Sequence, residues 1–280
     1  MKLAHSIELL CDAFCVSRSG YHQWLVRQRT PSPRASQDAE LAQEILDIDR
    51  QSRGTYGTPR IQAELKRRGR SHGKKRLDRI RSSLGLAARQ KGRFRPRTTD
   101  SNHNHPIAAN RLLEMAAPSG SDQVWVSDIT YVRTVEGWLY VAAVMDLFSR
   151  RIVGWAFAHH LGTELVAPAL AMALLHRRPG PGLVHHSDRG VQYASAAYRQ
   201  LLARHGLLAS MCRKANCYDN AAMEAFWSTL KLECIYRRDF HTRHSAAKAI
   251  FDFIEIFYNR SRLHSAIDYR SPVDFESSLN

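Results

Sequence analysis

The amino-acid sequence predicts a mixed-sheet α/β domain that follows an N-terminal helical region. Apolar residues recur at helical spacing as far as about Leu84, whereas the chain from Gln123 onward divides into short segments rich in Val, Ile, Trp, Thr and Tyr. Basic residues crowd into one segment near the junction of the two patterns. With 280 residues, the chain can form one sizeable core and one or two small appended domains.

The charge balance predicts a polyanionic partner. Lys and Arg total 41 against 26 Asp and Glu, which gives a net charge of +15. Residues Arg60 to Arg97 carry fifteen basic and two acidic side chains, or +13, while the other 242 residues carry only +2. So compact a patch suits the phosphates of a nucleic acid better than a membrane surface. A solubilising face or a flexible basic linker is the alternative interpretation.

The sequence was also searched for membrane-spanning segments and for cysteine patterns. No segment approaches the roughly eighteen apolar residues that a membrane-spanning helix needs, so we expect no membrane partner. The five cysteines are odd in number and irregularly spaced, which predicts reduced thiols and a cytoplasmic protein.

The first region, residues 1–52, predicts three helices. Ile7 to Phe14 and Ser17 to Val26 form a pair in which Ser17 is the expected N-cap. This pair is either helix-turn-helix-like or a plain helical hairpin. A Pro-Ser linker at residues 30–33 leads to an amphipathic helix from Gln37 to Gln51.

The second region, residues 53–97, predicts a basic helix-turn-helix that binds DNA. Thr58 is the expected cap of its first helix, with Pro59 at the first helical position, and residues 69–73 form the turn. The second helix, Lys74 to Leu84, would enter a major groove or contact phosphates alone. We expect its basic side chains to face outward as DNA-binding residues: Lys74, Lys75, Arg76, Arg79 and Arg81.

After a linker at residues 98–120, the pattern changes to strands. The predicted strands are Gln123 to Arg133, Trp138 to Asp146, Arg151 to Ala158, Leu183 to His186 and Leu207 to Met211. The predicted helices are Thr163 to Arg177, Ala196 to Arg204 and one that starts near Asn220. Three hairpin-linked strands followed by alternating helix and strand are typical of a ribonuclease H-like mixed-sheet catalytic core, here residues 121–233. Residues 234–280 form a C-terminal helical extension.

Three acidic residues occupy unusual positions in this core. Asp128 lies inside an apolar strand, Asp188 follows the fourth strand, and Glu224 lies near the start of a helix. Taken singly, they could be a local cap, a turn residue and a helix N-terminal charge. In the predicted fold they converge, and converging carboxylates suit Mg²⁺ or Mn²⁺. Two such ions about 4 Å apart can support an in-line phosphoryl displacement.

Lys231 lies seven residues after Glu224, so both side chains face the same side of the helix. Its ammonium group could bind a DNA phosphate beside the scissile one. The alternative is a solvated lysine on an exposed face.

Several short motifs follow one another along the chain. They are Ser17-Arg18-Ser19-Gly20-Tyr21, Thr55-Tyr56-Gly57, Trp125 to Tyr131, His185 to Tyr193, Asn216 to Glu224, and Tyr258-Asn259 with Arg262 and His264. At these motifs the chain resembles the DDE transposases of bacterial insertion sequences, which have a retroviral-integrase-like catalytic core. It looks most like the OrfB type of the frameshift-fused group. The resemblance covers nearly the whole chain.

The resemblance implies that Asp128, Asp188 and Glu224 bind two Mg²⁺ or Mn²⁺ ions as the catalytic triad, and that Lys231 contacts terminal DNA. The implied reaction nicks DNA at the element ends, and the freed 3′-hydroxyl then attacks another phosphodiester. The implied partners are terminal-repeat and target DNA, further copies of the chain on that DNA, and a first-frame (OrfA) product or fusion. Such a protein would be nucleoid-associated. Thr58-Pro59 departs from the family pattern.

Two other functions fit parts of the same sequence. A nuclease would keep the fold and cut DNA without strand transfer. A DNA-binding regulator would carry an idle core, although three intact acids argue against idleness. For the segment with Arg262 and His264, helix packing and DNA contact are both open.

Overall fold

The computed structural model describes residues 6–29, 32–87, 105–213 and 220–279. The chain divides into two compact units, Met1–Ala88 and Arg89–Asn280. The motif residues 216–219 and the basic residues from Arg89 to Arg97 lie outside the described residues. The division into five regions made from the sequence stays a prediction.

The described part of the first unit is helical. Its helices are α1 (Ile7–Ala13), α2 (Arg18–Arg29), α3 (Pro33–Gln51), α4 (Thr58–Arg67) and α5 (Lys74–Ser83). Helices α3, α4 and α5 contact one another. Their apolar stripes meet in a small core made of Leu41, Ile45, Ile48, Ile61, Leu65, Leu77 and Ile80. The predicted helical periodicity of this region is therefore confirmed.

Helix caps in the first unit agree with the sequence at one position and not at another. Ser17 Oγ accepts a hydrogen bond from the backbone N–H of Gly20, as a capping serine does. The prediction of Thr58 as a cap was wrong, because α4 starts one residue earlier than expected and Gly57 is its N-cap. The Thr58 hydroxyl instead donates to Asp78 Oδ1 of α5 at 2.5 Å.

The second unit contains a five-stranded mixed sheet. The strands are β1 (Val124–Thr134), β2 (Gly137–Asp146), β3 (Ile152–Ala158), β4 (Val184–Ser187) and β5 (Leu208–Met211). They lie in the order β3-β2-β1-β4-β5. The first three pair antiparallel, whereas β4 pairs parallel with both β1 and β5. This is the predicted ribonuclease H-like α/β fold.

Helices cover the sheet. They are α6 (Thr163–Arg177), α7 (Val191–Ala194), α8 (Ala196–Arg204), α9 (Ala221–Glu233), α10 (Arg243–Asp252) and α11 (Pro272–Ser277). Helix α6 packs on β2 and β3, while α9 and α10 contact β1. A π-helical segment, Phe253–Tyr258, continues α10. None of the described helices is long and apolar enough to cross a membrane.

Candidate active site

The sheet register brings two of the predicted acids together. β1 and β4 pair in parallel from Val124 opposite Val184 to Ser127 opposite Ser187. Asp128 and Asp188 each come directly after the last pair. Because parallel strands carry equivalent residues to the same level of a sheet, both carboxylates lie where β1 and β4 part. The predicted neighbourhood of the first and fourth strands is confirmed.

The carboxylate of Asp128 is held on both oxygens. Its Oδ1 accepts a hydrogen bond from the backbone N–H of Ile129 at 2.8 Å, and its Oδ2 accepts one from the indole Nε1 of Trp227 at 3.0 Å. Desolvation and the nearby charge of Asp188 raise the pKa of Asp128 to about 8, with a smaller contribution from Glu224. The two hydrogen bonds act in the opposite sense, because they favour the ionised form.

Asp188 is held by the turn that follows β4. Its Oδ1 accepts from the backbone N–H of Gly190 at 2.9 Å, and Ser187 Oγ donates to its backbone carbonyl at 3.0 Å. A β-carbon on Gly190 would lie 3.0 Å from that same Oδ1 and 2.8 Å from Gln192 Oε1. The glycine therefore leaves room for the aspartate side chain to fold back over the turn.

Glu224 reaches the site from α9. It lies in the first turn of that helix, and its side chain is exposed. Its charge acts on Asp128, which places it in the same electrostatic neighbourhood. Across the described ranges, however, no three His, Cys, Asp or Glu side chains are arranged as a ready metal-binding set. The structure thus brings Asp128 close to Asp188, while Glu224 is exposed and acts on Asp128 through its charge.

The donor chemistry of these residues nevertheless fits a hard divalent cation. Carboxylate oxygens are the ligands that Mg²⁺ and Mn²⁺ prefer. Burial, followed by the charge of Asp188, makes ionisation of Asp128 costly and raises its pKa. These carboxylates would be stabilised in their ionised form by the positive charge of a cation that they held.

Lys231 lies on the same helix, near its C-terminal end. Its ammonium nitrogen is 5.5 Å from the ring centroid of Tyr131 on β1, within the range of a cation–π contact. Desolvation lowers the pKa of Lys231, and the charge of Asp128 opposes this shift. The half-buried side chain of Lys231 therefore lies within electrostatic range of Asp128, and it is not a freely solvated lysine.

Two buried histidines on β4, next to the acids along the chain, were not singled out from the sequence, and as consecutive strand residues they lie on opposite faces of the sheet. His185 Nε2 lies 2.8 Å from Ser127 Oγ and 3.1 Å from the Tyr198 hydroxyl. His186 lies 2.8 Å from Ser210 Oγ through its Nδ1 atom. Burial lowers the pKa of His185 to about 3, so its ring is neutral. Two consecutive histidines in a short apolar strand were the signal that could have revealed these two buried polar contacts.

The basic helix α5 differs from its prediction. Arg81 was expected to face outward, but it is 9% exposed and donates to Thr58 Oγ1 at 2.7 Å. The prediction that Arg81 faces outward was therefore wrong, and its hydrogen bond to Thr58 gives it a structural role. Arg76 and Arg79 both pair with Asp38 of α3, and Lys74 pairs with Asp78. Lys75 is exposed.

Comparisons with known families agree with the two units. Residues 118–217 match the integrase core domain family, and residues 224–279 match a second family that is also described as an integrase core domain. Residues 36–94 match an HTH-like domain family. The catalytic core domain of BIV integrase aligns with a TM-score of 0.43 at 16% identity, over 56% of this chain and 95% of that one.

Two relatives match almost end to end. A 31 kDa protein of insertion element IS600 from Shigella sonnei is 48% identical over 271 residues, which cover 97% of this chain and 98% of that protein. Transposase InsF for insertion sequence IS3A from Escherichia coli (strain K12) is 38% identical over 272 residues, covering 97% of this chain and 94% of that one.

The mixed sheet and the integrase core together define an enzyme of the polynucleotidyl transferase class. The match to InsF, which extends over nearly the full length of both chains, narrows this class to the transposases. The chain belongs to the family of bacterial insertion-sequence DDE transposases, and its activity is DNA transposition and integration.

Proposed function

We propose that this transposase cuts DNA at the ends of an insertion sequence and joins the freed 3′-hydroxyls to target DNA, with Asp128, Asp188 and Glu224 as the catalytic residues. The observation that carries the proposal is the register of β1 and β4. It sets Asp128 and Asp188 side by side after Ser127 and Ser187. Glu224 adds the third carboxylate charge from α9.

The three carboxylates would hold two Mg²⁺ or Mn²⁺ ions. Such a pair of ions stabilises the attacking and leaving oxygens of an in-line phosphoryl displacement, so no side-chain nucleophile is needed. The HTLV-2 integrase catalytic core domain has been solved in complex with magnesium. Magnesium is also the cation that we propose here.

The other residues of the site would orient the carboxylates and bind DNA phosphates. Hydrogen bonds from Ile129 and Trp227 orient Asp128, and one from Gly190 orients Asp188. Lys231, held beside Asp128 and over an aromatic ring, would bind a DNA phosphate next to the scissile one. In the first unit, the exposed Lys74 and Lys75, with the salt-bridged Arg76 and Arg79, would contact phosphates of the terminal repeat.

The DNA substrate also determines the partners. Joining two element ends calls for more than one copy of the chain on DNA, so we expect a homo-oligomer there, with a first-frame product or fusion supplying further contacts. The same substrate predicts a nucleoid-associated location.

An end-joining assay tests the proposal. The full chain is incubated with Mg²⁺, labelled DNA that carries the ends flanking its own gene, and a target plasmid. We expect wild-type protein to cut and join, and Asp188→Asn to do neither while it still shifts the DNA on a gel. Asp239→Asn, which changes an exposed carboxylate outside the site, should behave as wild type.

Other outcomes separate the alternatives. Cutting without joining would indicate a nuclease, and DNA binding without either reaction would indicate a regulator. Catalysis retained by Asp188→Asn would exclude Asp188 from the mechanism.

A further inference from the structure

A hydrogen bond connects the helix that bears Glu224 to the strand that bears Asp128. Trp227 of α9 donates from its indole Nε1 to Asp128 Oδ2 at 3.0 Å. We infer that Trp227 is a positioning residue for the metal site, which holds the Asp128 carboxylate in its ligating orientation. This inference rests on the proposed function.

The geometry at Asp128 fits such a role. Ile129 N–H occupies one lone pair of Oδ1, and Trp227 occupies one lone pair of Oδ2. Each carboxylate oxygen has two lone-pair sites, so one remains on each oxygen for a cation. Two donors from different directions also fix the rotation of the carboxylate plane, which the backbone donor alone would leave free to swing.

Trp227 also bears on the third acid. It lies three residues after Glu224, so the two side chains are neighbours on the helix surface. Trp227 is 6% exposed, and its ring packs against Phe226 with centroids 4.7 Å apart. A buried indole bonded to β1 fixes how closely the first turn of α9 approaches Asp128. One residue thereby sets both the orientation of Asp128 and the position of the Glu224 backbone.

A buried tryptophan normally finds some acceptor, so packing alone is the competing explanation. The chain contains a matched case. Trp125 is fully buried on β1 and donates from its Nε1 to Asp122 Oδ1, also at 3.0 Å. Asp122 pairs with Arg177 and is not one of the proposed ligands. Replacing either tryptophan by phenylalanine removes the same kind of bond, yet only one of them belongs to the site.

The experiment compares Trp227→Phe with Trp125→Phe in the full chain. Mn²⁺ binding is measured by calorimetry, and thermal unfolding is followed for both variants. Partners that orient a metal ligand typically contribute about 10- to 100-fold in metal affinity. We expect Trp227→Phe to weaken Mn²⁺ binding by about tenfold or more and Trp125→Phe to leave it within about twofold. High Mg²⁺ should restore DNA cleavage to Trp227→Phe.

An Asp128→Asn variant distinguishes an error in the proposed metal site from an error in the role of Trp227. If it binds Mn²⁺ as wild type does, the proposed metal site is wrong. If it loses Mn²⁺ binding while Trp227→Phe keeps wild-type affinity, the site stands and the role of Trp227 is wrong.

If the Trp227→Phe variant does not fold, a measurement on the wild-type protein tests the inference instead. Saturating Mg²⁺ should shift the NMR signal of the Trp227 indole N–H and leave that of Trp125 in place. A Trp227 signal that does not move would overturn the inference.

Discussion

Arg262 donates two hydrogen bonds to the carboxylate of Glu233, from Nε to Oε2 at 2.7 Å and from Nη2 to Oε1 at 2.6 Å. The Arg262 side chain is buried and that of Glu233 is largely so, with exposures of 5% and 12%. Glu233 is the last residue of α9, so this bidentate pair ties the C-terminal segment to the helix that begins near Glu224. For the segment that contains Arg262, the structure therefore favours helix packing over DNA contact.

Breaking this pair should destabilise the second unit. Arg262→Met leaves a buried carboxylate without its guanidinium, and loss of one partner of a buried pair typically costs about 3–5 kcal/mol. Urea unfolding measures the change. The double variant Arg262→Met with Glu233→Met should recover most of that loss, because no charge is then left unpaired. If the double variant is as unstable as the single one, the pair contributes packing alone.

The basic helix offers a contrast between an exposed and a buried cation. Lys75→Gln should reduce the slope of log binding constant against log salt by about one, because one phosphate contact and its released counterions are lost. Gel-shift titrations with the terminal DNA over a range of salt concentrations measure this slope. An unchanged slope would mean that Lys75 does not contact phosphate.

Arg81→Met is the matched substitution on the same helix. Since Arg81 bonds to Thr58 and to the backbone carbonyl of Tyr56, its loss should lower the unfolding free energy of the first unit. A buried hydrogen bond from a charged group contributes about 1.5–3 kcal/mol. The salt slope should stay at the wild-type value at temperatures where the variant remains folded. A lower slope would return Arg81 to the DNA-binding surface.

The neutral His185 predicts a pH dependence of stability. Its folded pKa of about 3 lies below the ordinary histidine value of about 6.5. Below pH 6.5 the unfolded chain therefore takes up a proton that the folded chain does not. This contribution to stability is present above pH 6.5 and is lost as the pH falls toward 3. Between pH 7.5 and 5 the loss amounts to about 2 kcal/mol.

His185→Gln removes the titrating group and should flatten the pH profile of the unfolding free energy by that amount. Denaturant unfolding at pH 7.5 and pH 5 measures it, and the exposed His205→Gln should keep the wild-type profile. Equal pH dependence in His185→Gln and wild type would show that the buried imidazole does titrate normally.

Periodicity and residue type were sufficient for most of the fold. The predicted bounds of α6 and α8 agree with the structure, because a long apolar helix and a serine-capped one carry strong local signals. The four-residue α7 was missed, since one helical turn has no periodicity to detect. Arg81 was misplaced although it lies four residues after the buried Leu77, a spacing that puts both on one helix face.

The contacts within the candidate site were harder to predict from the sequence than the fold was. The strand interior and strand end could be located, so Asp128 and Asp188 were predicted as neighbours. The hydrogen bond from Trp227 to Asp128 depends on how α9 packs on β1, and no spacing along the chain encodes it. The ion pairs of Asp38 with α5 were missed for the same reason, because they join residues about forty positions apart.

The approach of α6 to the sheet provides a last prediction. A β-carbon on Gly154 of β3 would lie 2.1 Å from the carbonyl oxygen of Ala169 and 2.8 Å from the backbone nitrogen of Ala173. Both atoms belong to the backbone of α6, so no side chain can move aside. Gly154→Ala must therefore push the helix away from the strand, and overpacking of this kind typically costs about 1–3 kcal/mol.

Gly180→Ala is the control, because a β-carbon there meets no atom within 4 Å. Its unfolding free energy should stay within about 0.5 kcal/mol of wild type. If Gly154→Ala is equally harmless, the gap between β3 and α6 is wider than the structure has it. If it destabilises as expected, DNA cleavage at a temperature where the variant is folded shows whether the strain stays local. β3 lies two strands from β1, so we expect Asp128 to keep its position and the folded variant to keep its activity.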